Sequence, residues 1–184
     1  MTFSLAENEK RLLLRTARES IDARLTGRVP RLPPRTPALE TPCGAFVTLR
    51  KKGELRGCIG HITATRALAE TVADVALSSA FNDPRFAPLT LAEWGEVSIE
   101  ISVLSPFERI ADPGIVQAGV HGVMVSRGHR SGLLLPQVAT EQGWDRETLL
   151  VHTCYKAGLA GDAWRDADTR IEVFTALVFQ ENDA

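Results

Sequence analysis

Two short strand-like runs, Ala45-Phe46-Val47-Thr48-Leu49-Arg50 and Leu55-Arg56-Gly57-Cys58-Ile59, are separated only by Lys51-Lys52-Gly53-Glu54. A link this short, with glycine in the turn, predicts a β-hairpin and so an antiparallel pair. Further on, Val97, Ile99, Ile101 and Val103 alternate with Ser98, Glu100 and Ser102, the pattern of a strand with one buried and one wet face. Residues 120–126 and 132–135 predict a second hairpin across Arg127-Gly128-His129-Arg130, and an alternating strand over 171–179 closes the chain. Strands that arrive as hairpins, rather than each followed by a helix, point to an α+β fold with an antiparallel sheet flanked by helices.

Helical periodicity fills the intervals. Leu5, Leu12, Leu13, Ala17, Ile21 and Leu25 recur at helical spacing, with Ser4 and Glu7 placed as a capping box and Gly27 as the stop. A helix is predicted over 65–80, ended by Asn82-Asp83-Pro84, and a very short one begins at the Thr90/Glu93 capping box and runs through Trp94. Two more are expected near 137–142 and 147–157. The stretch 29–37 holds four prolines and reads as an extended connector, either a stiff surface tether or a proline-motif ligand. No internal repeat or low-complexity tract interrupts the chain. One domain over 1–184 is expected, with an N-terminal helix at 1–27, a proline-rich connector at 28–42 and the main α+β body at 43–184.

With 184 residues, 44% of them hydrophobic, the chain can bury a substantial core. Its 21 basic and 23 acidic residues nearly balance, so bulk attraction to nucleic acid or an anionic membrane is not indicated. Cys43, Cys58 and Cys154 are odd in number and lack a C-x-x-C spacing. With no basic, then apolar, leader visible and no membrane-length apolar run, they imply free thiols and a cytoplasmic protein. The absence of G-x-S-x-G, P-loop, G-x-G-x-x-G and H-E-x-x-H motifs argues against the common hydrolases, nucleotide enzymes and zincins.

The segment Leu55-Arg56-Gly57-Cys58-Ile59-Gly60 carries the strongest chemical signal. Arg56 and Cys58, two apart in an extended strand, point to one face, where a guanidinium would favour the thiolate. Gly57 and Gly60 mark places where the backbone bends or something approaches closely. A small buried cysteine in a kinked strand is the plainer role. His61 forms a C-x-x-H with Cys58 and His152 an H-x-C with Cys154, but neither has the paired spacing of a zinc site, and no metal or cofactor is expected. Asp83 and Arg85 stand in a turn between Phe81 and Phe86, a placement suited to stitching a loop. His121 opens a predicted strand, where pairing with a neighbour would bring it to a common rim with Cys58.

The six-residue segment resembles the signature of the AMMECR family. The rest follows in the family's order: Ser79-Ala80-Phe81-Asn82-Asp83-Pro84-Arg85-Phe86 with Pro88 and Leu89, then Ile99-Glu100-Ile101-Ser102-Val103-Leu104-Ser105. Val120-His121-Gly122 and Leu135-Pro136-Gln137-Val138-Ala139, with Glu141, Gln142 and Trp144, come next. Lys156-Ala157-Gly158-Leu159 and Trp164 look like the bacterial branch, called AmmeMemoRadiSam system protein A. The resemblance implies an antiparallel sheet with helices around it, a smaller second lobe, and a MEMO-type protein and a radical S-adenosylmethionine protein as partners. His61 departs from the small or hydroxyl residue expected after the signature, which tells against a Cys58–His61 pair. Two kinds of function stay open. One is a non-catalytic binding module that grips a small anionic ligand or a partner through Arg56, Arg85 and backbone amides around Gly57 and Gly60. The other is an enzyme with Cys58 as nucleophilic or acceptor thiol and His121 as acid or base.

Overall fold

The structure, a computed structural model, describes residues 4–181 apart from 32, 35 and 64. In chain order it runs α1 (Glu7–Thr26), α2 (Pro37–Glu40), β1 (Ala45–Lys51), β2 (Glu54–His61), α3 (Leu68–Phe81), α4 (Leu91–Trp94) and β3 (Val97–Leu104). Then come β4 (Glu108–Ile110), β5 (Gly122–Arg127), β6 (Arg130–Leu134), α5 (Pro136–Gln142), α6 (Arg146–Lys156), β7 (Arg170–Phe174) and β8 (Ala176–Gln180), with short 3-10 turns at Pro113–Ile115 and Ala163–Arg165. The α+β architecture expected from the hairpins is what the chain adopts. It forms two compact units, one made by residues up to 104 together with those from 177 on, the other by 105–176.

In the first unit the sheet order is β2-β1-β3-β8. β1 pairs antiparallel with both β2 and β3, Val47 lying opposite Ile59 on one side and Ile101 on the other. Because side chains alternate along a strand, Ala45, Val47 and Leu49 turn to one face and are fully buried, whereas Phe46, Thr48 and Arg50 turn to the other and are only partly covered. α3 packs on β1 and β2 and against α1, and α1 reaches β3. The core between them holds Leu13, Ile21, Val72, Val75, Ile99 and Ile101. The β1–β2 turn places Lys52 at φ 53° and Gly53 at φ 86°, the two left-handed residues of a type I′ hairpin.

In the second unit the order is β4-β7-β5-β6, with β5 antiparallel to both neighbours. α6 lies across β5 and β6 and seals Val123, Val125, Leu149, Leu150 and Cys154. Gly132 is required there, since a Cβ would stand 2.3 Å from the Ala157 amide nitrogen at the end of α6.

Several expectations are corrected. The N-cap of α1 is Ala6, not Ser4: the Glu9 carboxylate accepts from the Ala6 N–H at 2.9 Å, while Glu7 pairs with Lys10. Gly27 does end the helix, in the left-handed conformation at φ 70°. α3 starts at Leu68 rather than 65 and stops at Asn82 as read. The proline-rich connector hides a helical turn, α2, because Pro37 occupies its first position, where no amide hydrogen is needed, and Thr36 caps it. Leu32 and Arg35 of that connector lie outside the described residues. The closing strand is two strands in different sheets. The break falls at Thr175, which gives its N–H to Ser105 Oγ at 2.9 Å and accepts from Ser105 N–H at 2.8 Å. The alternation Ile171, Val173, Thr175, Leu177, Phe179 runs through that break unchanged, so periodicity carried no trace of it.

Candidate functional site

β2 is an edge strand, paired to β1 alone, and its free edge is occupied by the turn that follows α3. The Asp83 carboxylate accepts the outward Cys58 N–H at 2.9 Å, and Arg85 Nη2 donates to the Cys58 carbonyl at 3.2 Å. The two side chains are themselves joined, Nε to Oδ1 at 3.0 Å and Nη2 to Oδ2 at 2.7 Å, and Asp83 also takes the Arg85 backbone N–H. An acid and a base two residues apart thus substitute for a neighbouring strand. The Asp83 side chain is 2% exposed and the Arg85 side chain 54%. Arg85 and then the two backbone amides hold the Asp83 carboxyl far below the usual carboxylate range despite its burial.

Behind the strand, Ser79 of α3 enters the β1–β2 ladder. Its hydroxyl accepts from the Ile59 N–H at 2.9 Å and lies 2.8 Å from both the Val47 and Val75 carbonyls, which share its one proton. Gly57 makes this approach possible, for a Cβ there would stand 2.2 Å from the Ser79 carbonyl oxygen. Space beside Gly60 is filled likewise, by the Phe46 ring, and beside Gly122 by the Phe174 ring. What approaches closely at Gly57 and Gly60 is therefore the protein itself. The amides of Cys58 and Ile59, expected to be free for binding, are bonded to Asp83 and Ser79.

Arg56 is the extra residue where the β1–β2 register shifts, since Leu49 faces Gly57 while Arg50 faces Leu55. Its guanidinium grips Glu93 of α4, Nε to Oε1 at 3.2 Å and Nη2 to Oε2 at 3.1 Å, and donates to the Ala87 carbonyl at 3.0 Å. Lys51 and Thr90 complete the shell around Glu93, at 3.3 and 3.1 Å. Arg56 first, then Lys51 and Thr90, pull the Glu93 carboxyl down to about 2. The guanidinium carbons of Arg56 and Arg85 lie 5.8 and 5.5 Å from the centroid of the Phe86 ring. The expectation that Arg56 serves the thiol is thus corrected: it is engaged with Glu93, and the cation bonded to the Cys58 residue is Arg85.

Cys58 itself is only partly buried, on the face of the sheet that carries Thr48, whose hydroxyl is 3.3 Å from Sγ. His61, three residues on in an extended strand, projects to the opposite face and bonds Asp74 at 3.0 Å, together with Arg66. That geometry separates the C-x-x-H pair. His121 belongs to the second unit, where its Nδ1 accepts from the Gln117 N–H at 3.1 Å. β2 pairs with β1, and β5 with β6 and β7, so strand pairing does not make Cys58 and His121 neighbours. His152 stacks on Trp144, ring centroids 4.0 Å apart, while Cys154 is sealed in the core.

Three contributors escaped sequence reasoning as site residues. Ser79 was detectable as a polar residue on the inner stripe of α3 with Val72, Val75 and Ala76. Glu93 was visible only as a cap, and Thr48 carried no signal.

Two units, antiparallel sheets and a strand edge clamped by an acid–base turn define an α+β protein built around one short segment, and comparison with known proteins gives that class its family. The AMMECR1 family model matches residues 14–179. A Methanothermobacter thermautotrophicus protein is 44% identical, covering 97% of each chain, and protein PH0010 of Pyrococcus horikoshii is 42% identical over 98% of this chain and 94% of its own. The crystal structure of PH0010 superposes with a TM-score of 0.77, covering 92% of this chain and 89% of that one. The chain belongs to the AMMECR1 family.

Proposed function

We propose that this protein is a non-catalytic binding module or accessory subunit, of the AmmeMemoRadiSam branch, that works in the cytoplasm with MEMO-type and radical S-adenosylmethionine proteins. Its contact element is the Arg56-Gly57-Cys58 stretch. The observation that carries this reading is the clamp on β2. Asp83, Arg85, Ser79 and Arg56 direct their polar groups at the protein's own backbone and at Glu93, so they hold the segment still rather than offer an acid or base to a substrate. What faces outward is Cys58 beside Thr48, with the half-exposed Arg85 as a cation for an anionic group on the partner or a small ligand. The backbone edge at Cys58 is already bonded, so a partner engages side chains there rather than adding a strand. Three free thiols accord with a reducing compartment.

A second reading keeps Cys58 as a nucleophilic or acceptor thiol, favoured by its being the one cysteine of the three that is not buried. Titration calorimetry with the MEMO-type and radical proteins of the same genome separates the two. The module reading expects a complex that survives Cys58→Ser within about threefold and is lost in Thr48→Arg, which places a long charged side chain beside Cys58. Turnover by the mixture that Cys58→Ser abolishes, with binding intact, would instead establish the thiol. Absence of a complex with either protein sinks the module reading.

A further inference from the structure

Arg11, Arg15 and Arg18 follow one another at intervals of four and three residues, so they stand on one side of α1. They line a cavity of about 740 Å³ in the first unit, together with Arg31, Pro33 and Pro34 of the connector, with Leu12 and Leu14 supplying apolar surface. Four arginines converge on this space. Two carboxylates also line it, and each already has a partner: Glu181 is held by Arg18 and takes the Ile99 N–H at 2.9 Å, and Glu19 takes Arg28 at 3.2 Å. Arg18 is fixed in place by the Val97 carbonyl at 2.7 Å and by the Trp94 ring, 4.2 Å from its guanidinium carbon. Arg11, Arg15 and Arg31 have no ion-pair partner among the described residues. The cavity therefore keeps an excess of positive charge whose mutual repulsion an anion would relieve.

Size and lining narrow the class of anion. The volume lies in the range of small-molecule sites, roughly 300–1,000 Å³. A bare inorganic ion would leave the leucine and proline surface uncovered, and a purely apolar molecule would leave the arginines unmatched. Guanidinium groups recognise phosphate through paired N–H donors, more strongly than neutral donors do. We propose that this cavity is a binding site for an organic phosphate, a molecule that joins a multiply charged anionic group to an apolar or aromatic body. It shares no lining residue with β2 or with the Asp83–Arg85 turn, so it stands or falls independently of the module reading.

Titration calorimetry on the full chain with 1-naphthyl phosphate, inorganic phosphate and 1-naphthol tests it. Saturable one-to-one binding of naphthyl phosphate is expected, with each of the other two at least tenfold weaker. Arg11→Gln combined with Arg15→Gln, both at exposed positions, is expected to weaken naphthyl phosphate at least tenfold at an unchanged melting temperature. Arg24→Gln, elsewhere on α1, should leave it unaltered. No saturable binding, a loss of less than tenfold in the double variant, or an equal loss in Arg24→Gln overturns the proposal. So does inorganic phosphate binding as well as naphthyl phosphate, which would reduce the site to charge alone. Equal binding of naphthol would reduce it to an apolar groove, and the proposal would fail in that case too.

Discussion

Cys58 is fastened at its backbone and only partly covered at its side chain. Asp83 and Arg85 take its N–H and carbonyl, while its thiol shares a partly covered face with Thr48. Cys43 and Cys154 are the reverse case: both are buried, and burial pushes the Cys43 thiol up to about 11 and raises that of Cys154 as well. At neutral pH those two present almost no thiolate and little access, and alkylation needs both. Brief treatment of the native protein with iodoacetamide should therefore modify Cys58 at least tenfold faster than either of the others, as read by peptide mass mapping. Equal labelling of Cys43 would mean that its cover opens on the time scale of the reaction. The motif residues around Cys58 were legible one by one, since glycines in a strand and an acid–base pair in a turn are both unusual. Their joint purpose was not. It depends on Asp83 reaching a residue 25 positions earlier in the chain, and local spacing does not encode such a pairing.

Among the elements, β2 is the one whose neighbours decide its behaviour. An edge strand left open invites other chains to pair with it. Here its free side is closed at Cys58 by the turn after α3, and its register shift at Arg56 is tied to α4 through Glu93. That tie makes the element sensitive to acid. The Glu93 carboxyl lies at about 2 in the folded protein against an ordinary 4.5, so folding favours its ionised form. The stability it contributes is complete above pH 4.5 and is lost as pH falls from there towards 2, with Asp83 acting in the same direction. A partly exposed, multiply bonded carboxylate of this kind contributes about 1 kcal/mol. Urea unfolding at pH 6 and pH 3 should show Glu93→Gln losing less stability between the two values than the parent does. An identical loss in both proteins would remove Glu93 from the account. Of the α4 link, sequence disclosed the Thr90–Glu93 cap. The reach to Arg56 became visible only with β2 and α4 placed side by side.

At the scale of the whole molecule, the second unit is an insertion. β3 and β8 are neighbours in the first sheet, yet residues 105–176 intervene between them in the chain. The insertion leaves and returns at one point, Ser105 and Thr175 being bonded to each other through N–H to carbonyl and N–H to hydroxyl. Each unit also has its own core: Val47, Val75 and Ile101 in the first, Val125, Leu150 and Val173 in the second. A chain in which Ser105 is joined to Thr175 through a single glycine, with 106–174 removed, should fold cooperatively and keep the helical circular dichroism of α1 and α3. A non-cooperative urea transition in that variant would show that the first unit depends on the second. Among the described residues no helix is long and apolar enough to cross a membrane.

By itself, the amino-acid order determined the fold class and most of the larger elements. Alternation marked β3, helical spacing marked α1 and α3, and the four-residue link at Lys51-Lys52-Gly53-Glu54 made the first pair antiparallel. These are short-range properties, set by steric limits and by which side of an element is apolar, and residues within a few positions of one another express them. The tertiary structure alone decided that 171–179 divides between two sheets, that Arg56 serves Glu93, and that the space beside Gly57 belongs to Ser79. Each of those outcomes rests on a contact between segments far apart in the chain. Such a contact is chosen by packing and hydrogen-bond satisfaction among all the elements at once, and no window of sequence contains it.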